Sequence, residues 1–199
     1  MHRNRLTIAL SLVLLLLSMR LAPAILMQLM GPSFHMIRFP YLWNFTPLFA
    51  VCLYGGAVLR PRWMGFAIPL VAQVLGDIVF GLMSGEVWQA FSMSTLVNYI
   101  LVGFAVVVGT TLQPRPALGR LFGTGAGVAI GHFLVSNLAV WGLTKWYPHS
   151  LEGLAECFAQ ALPFFPTTVI STLFFSYLLF YSFVPDHEAA PAPEAESFV

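Results

Sequence analysis

An all-α integral membrane bundle of six transmembrane helices is the fold class this sequence predicts, on three observations. Of its 199 residues 58% are apolar and only 9% charged, with a mean hydropathy of +0.82, whereas a soluble domain carries about 25% charged residues. Long apolar runs recur, several of them near the roughly 20 residues that cross a hydrocarbon core. Between them stand helix breakers, such as Gly31-Pro32 and Arg60-Pro61-Arg62. Residues 1–184 therefore read as one six-helix transmembrane domain. Residues 185–199, with Ala-Pro-Ala-Pro and four acidic residues, read as a disordered acidic C-terminal tail. A net charge of +1 with no basic arm gives no support for nucleic acid as a partner.

The first helix is expected over residues 6–30, behind Arg3 and Arg5. The same start has the parts of a signal peptide: a basic beginning, an apolar run from Leu6 to Leu17, and Ala22-Pro23-Ala24 as a cleavage pattern. Arg20 interrupts the approach to that site, and the apolar character continues through Ile25-Leu26-Met27, so a retained spanning helix is the reading taken, with cleavage of residues 1–24 left open. A second, short helix follows over about 47–59. Pro47 suits its first turn, and Asn44 or Thr46 is placed to cap it. The remaining helices are expected over about 64–83, 94–112, 118–143 and 154–183.

Orientation follows from the basic residues. With six helices, one side receives Arg3, Arg5, Arg60, Arg62, Arg115 and Arg120, and the other receives Arg38 and Lys145. The excess side is cytoplasmic. A multi-pass protein of the inner (cytoplasmic) membrane with both termini inside is expected, its loops at 31–44, 84–93 and 144–153 facing outward.

The rise of about 1.5 Å per residue converts position into depth. Arg20 and Asp77 each lie roughly 20 Å along their helices, in the outer half. A lone charge at mid-membrane costs about 2.5–3.5 kcal/mol on insertion scales, and equal depth makes a mutual salt bridge the cheapest solution. That pair either pins helix one to helix three or releases one partner to a solute. Gln73 shares Asp77's face at i, i+4. Asn98, Asn137 and Glu156 lie in the same outer half, and His132 sits mid-helix, where it either bonds a neighbouring helix or meets a ligand.

From Ser136 to Ser171 the chain runs out of one helix and into the next. Glu152, Glu156, Gln160, Thr167 and Ser171 recur at four, four, seven and four residues, which places them on a single face if the segment is one helix. Asn137 and Trp141, four apart, offer an amide and an aromatic face, as a small-molecule pocket requires. Trp141 also fits an interfacial belt with Lys145, Trp146 and Tyr147. The substrate-binding set is thus Asn44, Asp77, Asn137, Trp141, Tyr147, Glu156 and Gln160. The embedded acids Asp77 and Glu156 outnumber Arg20, which favours a cationic solute. Gly123, Gly127 and Gly131 form a ridge for close helix approach, within the bundle or against another subunit. Cys52 and Cys157 read as small packing residues. No metal, cofactor or catalytic constellation is expected, since no nucleophile with base and orienting group can be read from the spacing.

Three blocks resemble a family of small polytopic bacterial membrane proteins whose function has not been characterised. They are Asn44-Phe45-Thr46-Pro47 with Ala50 and Gly55-Gly56-Ala57; Pro69 with Gly76-Asp77; and Asn137 and Trp141 with Tyr147-Pro148, Gly153-Leu154, Cys157 and Pro163-Phe164-Phe165. Gly76 departs from that pattern, in which a serine often precedes the aspartate. More distantly, the layout is similar to the substrate-binding S-components of energy-coupling-factor transporters. That resemblance implies a vitamin-like solute captured in the outer half and a separate membrane energising subunit as partner. The expectation is a non-enzymatic solute-binding subunit or small uptake transporter, embedded in the lipid bilayer. The competing expectation is a structural membrane scaffold without a ligand.

Overall fold

The computed structural model describes residues 2–30, 44–85 and 91–182. Most of the expected loops 31–44 and 84–93, and the tail 185–199, lie outside the described residues. Within them the chain is helical throughout: α1 (His2–Met30), α2 (Leu48–Ala57), α3 (Trp63–Ser84), α4 (Met93–Gly109), α5 (Leu118–Leu143), α6 (Leu151–Ala161) and α7 (Phe165–Ser182), the last two joined by a 3-10 turn at Leu162–Phe164. Four stretches are long and apolar enough to cross a membrane: Arg5–Leu26, Trp63–Ser84, Leu118–Leu143 and Leu151–Ser182. Large apolar side chains stand exposed along them, among them Leu10, Leu14, Leu134, Leu138 and Ile170, as lipid-facing surfaces require. These features are those of a membrane protein.

Two of the expected helices are shorter than a span. The 10 residues of α2 reach about 15 Å, half of a hydrocarbon core. The 17 residues of α4 come closer, at about 25 Å. What α2 lacks in length it has in burial: nine of its residues, Phe49 to Ala57, are buried, and it packs against α3, α4, α5 and α7. It is the central post of the bundle. Its start also differs from expectation. Pro47 occupies the cap position and no side chain caps the helix, because Asn44 and Thr46 face the cavity described below.

Helices α1 and α3 run parallel. Arg5, Leu6 and Val13 line a groove with Trp63, Ala67 and Val71 near the start of both helices, while Arg20 meets Gln73 and Asp77 further along. Helix α4 returns antiparallel to α3, bringing Tyr99 to Asp77. At the opposite end, Tyr181 of α7 donates to the Pro116 carbonyl before α5, so the ends of α2, α4 and α7 and the starts of α3 and α5 gather at one arginine-bearing end.

The expected single helix over 154–183 is two helices. Pro163 cannot donate an amide hydrogen, and a 3-10 turn occupies its position. The five-residue polar face therefore does not continue across the join. Glu152, Glu156 and Gln160 are exposed on α6, whereas Thr167 and Ser171 are buried on α7. Helix α6 is amphipathic, with Gly153 and Cys157 on its buried face, and Ser150 caps it by accepting the Gly153 amide at 3.2 Å.

Candidate functional site

A polar cavity of about 310 Å³ opens among α1, α3, α4, α5, α7 and the segment leading into α2. Its first wall is an ion-pair cluster. The two terminal guanidinium nitrogens of Arg20 are divided, Nη1 donating to Gln73 Oε1 and Nη2 to Asp77 Oδ1. The other carboxylate oxygen, Oδ2, accepts from the Tyr99 hydroxyl at 2.8 Å. The Phe80 ring lies 5.6 Å from the Arg20 guanidinium carbon, a cation–π distance. Gln73 and Asp77 reach one arginine because four residues make about one helical turn. Gly76 leaves room for it: a Cβ there would lie 2.7 Å from Arg20 Cδ and Nε.

The second wall pairs α4 with α5. His132 Nε2 and Asn98 Oδ1 are 3.2 Å apart, and the imidazole packs on the buried Phe49 ring at 4.8 Å between centroids. The third wall is where the chain enters α2. Asn44 Nδ2 donates to Thr168 Oγ1 at 3.1 Å, and the Asn44 carbonyl accepts from Ser171 Oγ at 3.2 Å. Non-helical backbone among apolar helices is tolerated where it lines a cavity. Asn44 and Thr46 line this one. A second, more open cavity of about 760 Å³ adjoins it, shares Asn44, His132 and Thr168, and continues to Ser136 and Asn137.

The seven expected binding residues are thus divided. Asn44 and Asp77 line the polar cavity, and Asn137 lines its neighbour, although its amide is engaged by its own helix, Nδ2 donating to the Phe133 carbonyl at 2.7 Å. Trp141 is turned to the loop after α5. Its indole Nε1 donates to the Pro148 carbonyl at 2.9 Å, and its ring meets His149 edge-on at 5.7 Å. Tyr147 is half-buried in the same loop. Glu156 and Gln160 are exposed on α6 and line neither of these two cavities.

Glu156 does not add to the acid in this cavity. Arg20 and Asp77 alone carry charge in the cavity lining, one positive and one negative, already paired. The expected set omitted Gln73, Asn98, His132, Thr168 and Ser171. Four of these carried a signal, as polar residues on apolar helices, and Thr168 had only its position beside Thr167. The glycine ridge also differs from the internal-packing reading: a Cβ at Gly123, Gly127 or Gly131 would meet nothing within 4 Å. Among the described residues there is no group of three or more metal-ligating side chains.

The profile of a family of unknown function, DUF6580, matches residues 1–192. The chain belongs to this family. No curated protein and no solved structure matches it. The cavity of this DUF6580 member offers donors and acceptors around an electrically balanced, partly open hollow.

Proposed function

We propose that the chain is a membrane-embedded solute-binding subunit or small uptake transporter of the S-component type, holding a small, polar, vitamin-like molecule in the outer half of the bundle. The observation that carries this reading is the polar cavity. Apolar helices have no packing reason to surround an arginine, an aspartate, a histidine and several amides with open space, and intramembrane polar groups of this kind mark solute pathways. About 310 Å³ lies at the lower end of the range for small-molecule sites. The paired charges favour a neutral or internally neutralised solute over the cation suggested by composition. Asn98, His132, Asn44 and Thr168 supply the contacts, with Arg20 and Asp77 as the polar floor. A separate energising membrane subunit belongs to this reading as a partner.

Mass spectrometry of solute released from the purified protein tests it. A defined small molecule is expected from the parent and is expected to fall at least tenfold in Asn98→Ala and in His132→Phe, with thermal unfolding in detergent little changed. The scaffold reading is favoured by a specific observation, the Arg20, Gln73, Asp77 and Tyr99 cluster joining α1, α3 and α4. It predicts the reverse: no released solute, and lowered stability in both variants.

The orientation proposed with this function places both termini in the cytoplasm of an inner membrane, with all six expected helices counted as crossings. Reporter fusions at residues 35, 88 and 148 are expected to report the outside. A cytoplasmic signal at 88 overturns the topology.

A further inference from the structure

We infer that the groove between the first halves of α1 and α3 is a site for one anionic phospholipid of the surrounding membrane, separate from the polar cavity. The groove encloses about 500 Å³. Its length is apolar, built from Leu6, Ala9 and Val13 on one side and Ala67, Ile68 and Val71 on the other. Its end is basic, since Arg5 lines it together with Pro61 and Trp63.

Charge complementarity selects the occupant. The one salt bridge formed among the described residues joins Arg20 to Asp77, so no described carboxylate neutralises Arg5 or Arg62. Arg60 is used differently, donating to the Leu59 and Ala57 carbonyls at 2.8 and 3.3 Å, which leaves Arg5 as the lining cation for an outside anion. Trp63, 65% exposed, lines the same groove, as an interfacial aromatic does at headgroup level. An apolar trough ending in an arginine that no described carboxylate neutralises and an exposed indole matches an acyl chain attached to a phosphate. A water-soluble anion has no use for the trough, and a zwitterionic lipid has no net charge for Arg5.

The test compares the full-length protein in nanodiscs of phosphatidylglycerol and of phosphatidylcholine, counting retained lipids by native mass spectrometry after detergent transfer. Retention of one phosphatidylglycerol in preference to phosphatidylcholine is expected. Arg5→Gln is expected to reduce the preference about fivefold, the effect of one basic residue near an anionic surface. Ala67→Trp is expected to remove the bound lipid while Arg5 remains; Ala9→Leu serves if that variant does not fold. Equal retention of the two lipids by the parent overturns the inference, as does a preference that survives Arg5→Gln. Displacement by inorganic phosphate alone also overturns it, since the acyl chain is then irrelevant. So does a preference that emerges only after removal of residues 185–199, which makes the acidic tail the occupant.

Discussion

Asp77→Ala is expected to destabilise the bundle by about 3–5 kcal/mol, the cost of breaking a buried ion pair by removing one partner. The side chains of Arg20 and Asp77 are only 25% and 14% exposed, so water cannot replace the lost carboxylate fully. Arginine cannot escape by deprotonating. Its Nε is already buried without a partner, and Gln73 would be left as its hydrogen-bond acceptor, beside the Phe80 ring. Tyr99 would lose its acceptor as well. Thermal unfolding in detergent reads the effect, and the double variant Arg20→Met/Asp77→Ala is expected to recover most of it, because the uncompensated charge is then gone. An Asp77→Ala protein as stable as the parent would remove the pair from any account of the fold. The double variant also separates two roles. If the pair only pins α1 to α3, solute release from the double variant matches the parent; if it forms the cavity floor, solute is lost although the fold returns.

The partnership of Arg20 and Asp77 was legible in the sequence because helical rise converts residue number into depth, and two charges at equal depth in hydrocarbon have few other solutions. Gln73 was legible for the same reason, through its i, i+4 relation to Asp77. The division of the last helix was less so. Apolar character runs through Pro163 and Pro166 without interruption, and the periodicity of Glu152, Glu156, Gln160, Thr167 and Ser171 holds only if the backbone does. A 3-10 turn at Leu162–Phe164 shifts the phase, leaving the first three exposed and the last two buried.

Trp141 illustrates a different limit. An aromatic at a helix end has the same spacing whether it lines a pocket or closes its own loop, and only the position of the Pro148 carbonyl decides between them. Asn44 was expected at the site as a loop residue and does line the cavity, but its bond to Thr168, 124 residues away, depends on α2 being a short post inside the bundle. Hydropathy does not distinguish a buried half-length helix from the end of a spanning one. The glycines show the same blindness, since a residue without a side chain carries no pattern to say which way it faces.

Gly56→Leu is expected to abolish folding, and Gly56→Ala to cost about 1–3 kcal/mol or more, the usual penalty for overpacking a core. A Cβ on Gly56 would lie 2.1 Å from the Val106 carbonyl oxygen and 2.8 Å from the Thr110 nitrogen. Both are backbone atoms of α4 or its cap, which no rotamer change can move aside. The reciprocal contact is as close, with a Cβ on Gly109 falling 2.5 Å from the Leu53 carbonyl oxygen. Helices α2 and α4 thus touch backbone to backbone. Separating them would pull α2 from the post position on which α3, α5 and α7 also pack. Gly127→Ala is the matched control. Its Cβ meets nothing within 4 Å, and alanine in a helix gains roughly 0.5–1 kcal/mol over glycine, so this variant is expected to be neutral or slightly more stable. Detergent-solubilised yield and thermal midpoint read both. If Gly127→Ala proves as damaging as Gly56→Ala, the ridge on α5 is packed against something in the membrane, and the open face described for it is occupied in the assembled protein.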